Sequence, residues 1–156
     1  MSVQDYQSRR YDVMAFQGVL PPGKTALLEQ ALASSASSGS IATGVQKAAQ
    51  KFVLELLTSR GSWRFLPEQG TDFIAKLKRG ELRTELDIFT AFNFAATRII
   101  RKLQADQESS DPDDERIRSA SLDKLALSGS TAKLFISIST AAGDTRQVIL
   151  PIEVIP

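Results

Sequence analysis

The residues Gly18-Val19-Leu20-Pro21-Pro22-Gly23-Lys24-Thr25 carry the spacing G-x-x-x-x-G-K-S/T, whose chemistry is phosphate binding by a loop of backbone N–H groups and a lysine. Here Pro21 and Pro22 lack the N–H groups where the loop would close around a β-phosphate. No apolar strand ending in Asp follows to hold magnesium, and no alternating strand–helix pattern follows to build the parallel sheet such a loop needs. The stretch is read as a Pro-Gly turn, with nucleotide binding as an alternative. A second cluster, Asp106, Glu108, Asp111, Asp113, Asp114 and Glu115, offers oxygen ligands for calcium but lacks the glycine and spacing of an EF-hand, and reads as a solvated acidic loop. Glu68 and Glu115 are candidates for the two carboxylates of a glycoside hydrolase, which requires a cleft between them and a raised pKa on one. The chain has no Cys and no His, which removes disulfides, thiol nucleophiles, histidine bases and the usual zinc ligands. No cofactor or metal is expected.

The 156 residues and their apolar content suit one domain with a single core, plus an arm. A formal net charge of +1 argues against a broad basic field for nucleic acid. No apolar run is long enough for a membrane span, and the N-terminal MSVQDYQSRR has no apolar stretch of the signal-peptide kind, so synthesis and folding in a cytosol are expected.

Those candidate groups must be positioned by the elements around them. Tyr11 to Gln17 reads as a short strand or extended arm, and Lys24 to Ala33 as a short helix. The Ser-rich stretch 34–40 reads as a linker, so residues 1–40 form an N-terminal arm and 41–156 the main domain. From Ile41 to Ser59, Val45, Ala49, Phe52, Val53 and Leu56 recur at helical spacing. Thr71 is placed to cap a short helix that ends near Gly80. Thr84 and Asp87 form a capping-box pattern at the head of a long third helix, with Leu86, Phe89, Ala96, Ile99, Ile100 and Leu103 as core, joined by Phe92. Beyond the acidic loop the period becomes two: Leu125 and Leu127, then Leu134, Ile136 and Ile138, then Val148, Leu150, Ile152 and Val154. Turn signals at Gly129-Ser130 and at 141–144 separate three antiparallel strands. The class is α+β, three helices packed on one face of a C-terminal antiparallel meander, plus the arm. Pro151 cannot donate to a ladder and places the last strand at an edge or a bulge. Phe135 and Ile149 alternate out of phase with the core, and the arm, a helix or another protein must cover them.

The connector SRGSWRFLPEQGT, residues 59–71, holds the single Trp, two glycines and a proline. It reads as a structural loop built on Gly61, Trp63, Pro67, Gly70 and Thr71, with Trp63, Phe65 and Leu66 plugging one end of the core and Arg60 and Arg64 as polar handles.

This order of parts resembles the tail protein W family of contractile phages, baseplate wedge proteins and sheath initiators, over roughly Ile41 to Val154. The resemblance rests on T-x-x-G…P-x-x-G-T at Thr58, Gly61, Pro67, Gly70 and Thr71, on the C-terminal strands, and on a charged signature after the long helix. The family's Glu-Pro-Arg-apolar signature is matched by Asp114-Glu115-Arg116-Ile117, without the proline. The resemblance implies a non-enzymatic virion component made in the host cytoplasm. It would dock on the helical bundle of the wedge proteins through Asp114, Glu115, Arg116 and Ile117, with tail tube or hub proteins as further neighbours. It would nucleate the sheath by accepting strands from sheath subunits, for which Ile149, Glu153 and Ile155 are the candidate receiving surface. Neither nucleic acid nor membrane is an expected partner. Some members of the family carry a lysozyme label, so a peptidoglycan-cleaving enzyme is a further alternative.

Overall fold

The computed structural model describes Asp12–Val13, Phe16–Gln17, Glu29–Gln30 and residues 41–154. Among the described residues four two-residue strands come first: β1 (Asp12–Val13), β2 (Phe16–Gln17), β3 (Glu29–Gln30) and β4 (Ile41–Ala42). β1 pairs with β4 and β2 with β3, both antiparallel. Glu29 and Gln30 are therefore extended, where helical spacing predicts a helix from Lys24 to Ala33. The phosphate-loop pattern from Gly18 to Thr25 lies outside the described residues.

Helix α1 spans Gly44–Leu57, α2 Phe73–Lys78 and α3 Glu85–Ala105; strands β5 (Ile117–Ser128), β6 (Thr131–Thr140) and β7 (Thr145–Glu153) follow. The three long strands form one antiparallel sheet in the order β5-β6-β7. The α+β class holds, with helix packing on the sheet.

Local chemistry sets the helix ends. At α3 the Thr84 hydroxyl accepts the Asp87 N–H at 3.1 Å and the Asp87 carboxylate accepts the Thr84 N–H at 3.0 Å, the reciprocal box that the spacing predicts. These bonds, Thr84's side chain first, hold the Asp87 carboxyl below its ordinary pKa. The α2 cap is Asp72 rather than Thr71, whose side chain is buried with its hydroxyl 3.5 Å from the Leu56 carbonyl. At α1 the Thr43 side chain makes no cap bond; the orphan N–H of Gly44 is met by Glu115 Oε1 at 3.3 Å, from 71 residues away.

The core lies between the helices and one face of the sheet. In β6 every second residue, Ala132 through Thr140, is fully buried. Leu150 and Ile152 of β7 join the same layer. On α3 the buried stripe is Ile88, Phe92, Ala95, Ala96 and Ile99, the four-and-three spacing of one helix face. Phe92 is the hub, with ring centroids 6.3 Å from Phe52 and 5.7 Å edge-on from Phe73. Burial of each large apolar side chain of this layer contributes about 1.5–3 kcal/mol. Leu86, expected in the core, is 74% exposed because it stands two residues, about 200° of helix, before Ile88.

Strand β5 begins at Ile117, well before the Leu125 expected from alternation. Its buried Ile117 and Leu122 and its half-buried Leu125 share a face although their spacings are five and three. The register against β6 shifts between Ile117 and Ser119 and again between Leu122 and Lys124, so Arg118 and Asp123 are the extra residues of two bulges that restore the phase. Leu127, past the end of this apolar layer, is exposed.

The contrast between neighbouring phenylalanines gives a direct test. Phe92→Ala, at a fully buried site, is expected to cost about 3–5 kcal/mol of unfolding free energy in urea, whereas Phe94→Ala, on the exposed face, stays within about 0.5 kcal/mol.

Candidate functional site

The backbone of β7 divides cleanly. Val154 N–H donates to the Ser130 carbonyl at 2.7 Å, and Thr140 N–H to Asp144 at 2.9 Å, which fixes the hydrogen-bonded pairs of β6 and β7 at even-numbered positions. Arg146, Val148, Leu150 and Ile152 therefore direct their N–H and C=O groups at β6. The odd-numbered Thr145, Gln147, Ile149, Pro151 and Glu153 direct theirs away from it, along a flank that no described strand pairs with. Pro151 thus stands where its missing N–H costs the ladder nothing, as the edge reading of the sequence requires. Ile149 and Glu153 belong to this outward row; Ile155 lies outside the described residues. The flank of β5 is also without a described strand, but two bulges interrupt it.

On the sheet face away from the helices, Phe135 pairs in register with Ile149, and the Lys124 ammonium lies 5.7 Å from the Phe135 ring centre. Both apolar side chains are half-buried. Around them the face is polar. The Asp123 carboxylate, standing out at its bulge, accepts from Ser137 and from Ser121 at 3.0 Å, and the hydroxyls of Ser119 and Ser139 meet at 2.6 Å.

The four signature residues are bound within the fold. Glu115 is buried against Lys47, Nζ to Oε2 2.7 Å, while its other oxygen meets α1. Ile117 is in the core. Arg116 pairs with Asp113 at 3.2 Å, not with Asp114 or Glu115, and its Nη2 donates to the Ser109 carbonyl at 2.7 Å. It thereby folds the acidic loop back on itself. Asp114 packs at the head of α1, where a Cβ on Gly44 would come within 3.2 Å of its carboxylate. Arg116, half-buried, is the most accessible of the set with Asp114, and the others hold β5 to α1. Among the described residues no three carboxylates cluster in a way that would hold a metal ion.

The connector after α1 is not a core plug. Trp63 is 57% exposed, Phe65 88% and Leu66 55%, so the aromatic tip stands in solvent. Only its base is fixed. Thr71 N–H donates to the Thr58 carbonyl at 2.9 Å, Gly61 N–H to Pro67 at 3.1 Å, and Ser59 bridges Thr71. Glu55 is the anchor beneath: its buried carboxylate accepts from Gln69 at 3.0 Å, from Gly70 N–H at 3.2 Å and from Lys102 at 2.5 Å. Glu68 is clasped by Arg60 at 2.8 Å and Arg98 at 3.2 Å. The Arg60 hydrogen bond and charge, followed by those of Arg98, hold the Glu68 carboxyl below its ordinary pKa. That is the opposite of the shift a glycosidic general acid needs, and Glu115 is enclosed in its own ion pair. Sequence reasoning missed Glu55, Arg98 and Lys102; the one signal for them was Glu55 on the apolar face of α1.

A scan of the chain against protein-family models finds no match, and a search of curated proteins finds no significant relative.

Three predictions test this geometry. Gly70 has φ +84°, and a Cβ there would lie 2.1 Å from the Thr58 carbonyl oxygen, so Gly70→Ala should cost on the order of 3 kcal/mol in chemical denaturation. Glu115→Ala removes the carboxylate that meets both Lys47 and the Gly44 N–H and should cost about 3–5 kcal/mol, whereas Lys47→Met with Glu115→Leu should recover most of it. Glu68 should titrate below a free glutamate by NMR and move up in Arg60→Ala. Because its folded pKa is depressed, the clasp is complete above the ordinary glutamate range and is lost as pH falls through the lower, folded value.

Proposed function

We propose that the chain is a structural component of a contractile phage tail baseplate that seeds the sheath by taking a strand from a sheath subunit onto the outer flank of β7. The observation that carries this reading is the row of outward backbone groups at Thr145, Gln147, Ile149 and Glu153, on a flank that no described strand pairs with and no bulge breaks. An added strand would gain affinity from the backbone and register from Ile149 and Phe135, the apolar pair on the open face. Pro151 offers a carbonyl without a donor, so the incoming strand must tolerate one missing bond opposite it. That restriction disfavours indiscriminate pairing of edges. The resemblance to tail protein W proteins supplies the identity of the donor; the edge geometry supplies the means.

Wedge docking through the signature residues takes a narrower form. Glu115 and Ile117 act from inside by fixing the start of β5, and Arg116 with Asp114 and the loop it organises is the part a wedge protein would meet.

The test is nucleation of sheath polymers by purified protein, followed by electron microscopy. Ile149→Pro removes one outward donor and leaves the β6 ladder intact, so it should fold normally yet seed far fewer polymers. Polymer seeding at the wild-type rate by this variant would refute strand acceptance at β7.

A further inference from the structure

A second surface carries unpartnered apolar groups, on the side where α2 meets α3. Leu86, Thr90, Phe94 and Arg98 follow one another at four-residue spacing along α3. Leu86 is 74% and Phe94 75% exposed. They line a groove of about 650 Å³ with Leu82 and Ala91, whose walls also carry Asp72, Lys76, Glu81 and Asp87. Arg98 lines this groove and also the neighbouring cleft under Phe65 and Leu66. The projecting aromatic tip and this mixed groove therefore lie side by side, with Arg98 common to both.

We propose that this face joins two copies of the chain, each laying its Phe65 tip into the α2–α3 groove of the other across a two-fold axis. A protrusion and a recess set side by side on one face are self-complementary when a second copy is turned half a revolution about an axis in the plane of contact. The charges agree. Among the described residues Arg64 at the tip makes no salt bridge and lies 5.9 Å from the Phe65 ring centre. Among the described residues Asp72, in the groove, makes no salt bridge, and its side chain makes no cap bond. A tip entering a neighbour's groove brings these two together and covers Phe65, Leu86 and Phe94 in one step. Exposed aromatic side chains in a recess of this kind, next to an arginine, have the composition of an interface centre. The contact uses neither the β7 flank nor the signature residues, so it stands or falls apart from the tail-assembly reading.

Sedimentation of the full chain over a range of micromolar concentrations tests it. A monomer–dimer equilibrium is expected, weakened roughly thirtyfold or more by Phe65→Asp and by Phe94→Asp. Arg64→Glu and Asp72→Arg should each weaken it, and the two variants mixed should restore association between them. Because the chain has no cysteine, Phe65→Cys mixed with Phe94→Cys should give disulfide-linked heterodimers, while Leu127→Cys at the exposed hairpin end should not. A chain that stays monomeric throughout overturns the proposal, even if the groove binds some other protein. So does a dimer indifferent to Phe65→Asp and to the charge exchange.

Discussion

Every strand has two hydrogen-bonding flanks, and in a three-stranded sheet two of the six have no neighbour. The rest of this structure is arranged around that constraint. Helices cover one face of the sheet and bury its apolar layer, but a helix packed on a face does nothing for a flank. The outer flank of β5 is broken by bulges at Arg118 and Asp123, and that of β7 keeps its run of groups with a single gap at Pro151. One edge is thus disrupted along its length, and the other is only restricted.

The helices hold their place on that sheet through two buried carboxylates. Glu115 joins the first residues of β5 to the head of α1 by meeting both Lys47 and the Gly44 N–H. Glu55 joins α1 to α3 and to the base of the connector through Lys102, Gln69 and Gly70. Desolvating such charges is expensive, and apolar substitutes of equal volume often fold as stably. What the carboxylates provide is geometry: each satisfies a backbone N–H that no local group reaches, and each fixes elements far apart in sequence. The aromatic tip is consequently held out from the core on a rigid base instead of collapsing onto it.

Much of this was legible in the residues. The period of α1, the Thr84–Asp87 box and the change from helical to alternating spacing announce α1, α3 and the meander, and Pro151 announces the edge. Other features depend on distant partners and leave little local trace. The bulges in β5 place Ile117, Leu122 and Leu125 on one face at spacings that strict alternation forbids, which hides half the strand. Trp63, Phe65 and Leu66 read as core because apolar residues usually are; their exposure follows from the Thr58–Thr71 closure and the Glu55 anchor, neither visible as a spacing. Arg116 with Asp114 or Glu115 reads as a docking pair, yet the fold pairs Arg116 with Asp113 and Glu115 with Lys47, because β5 starts between α1 and the acidic loop. Leu86 and Phe94 are separable from the core stripe by angle alone, and both fall on the opposite side of α3.

The central claim is that β7 has an open flank which another chain completes. Amide hydrogen exchange resolved by residue tests it most directly. In the isolated protein the Val148, Leu150 and Ile152 amides should be protected while those of Thr145, Gln147 and Ile149 exchange rapidly, and assembly with sheath subunits should slow the second set to match the first. Equal protection of both sets in the isolated chain, or rapid exchange at Gln147 and Ile149 that persists after assembly, would contradict it.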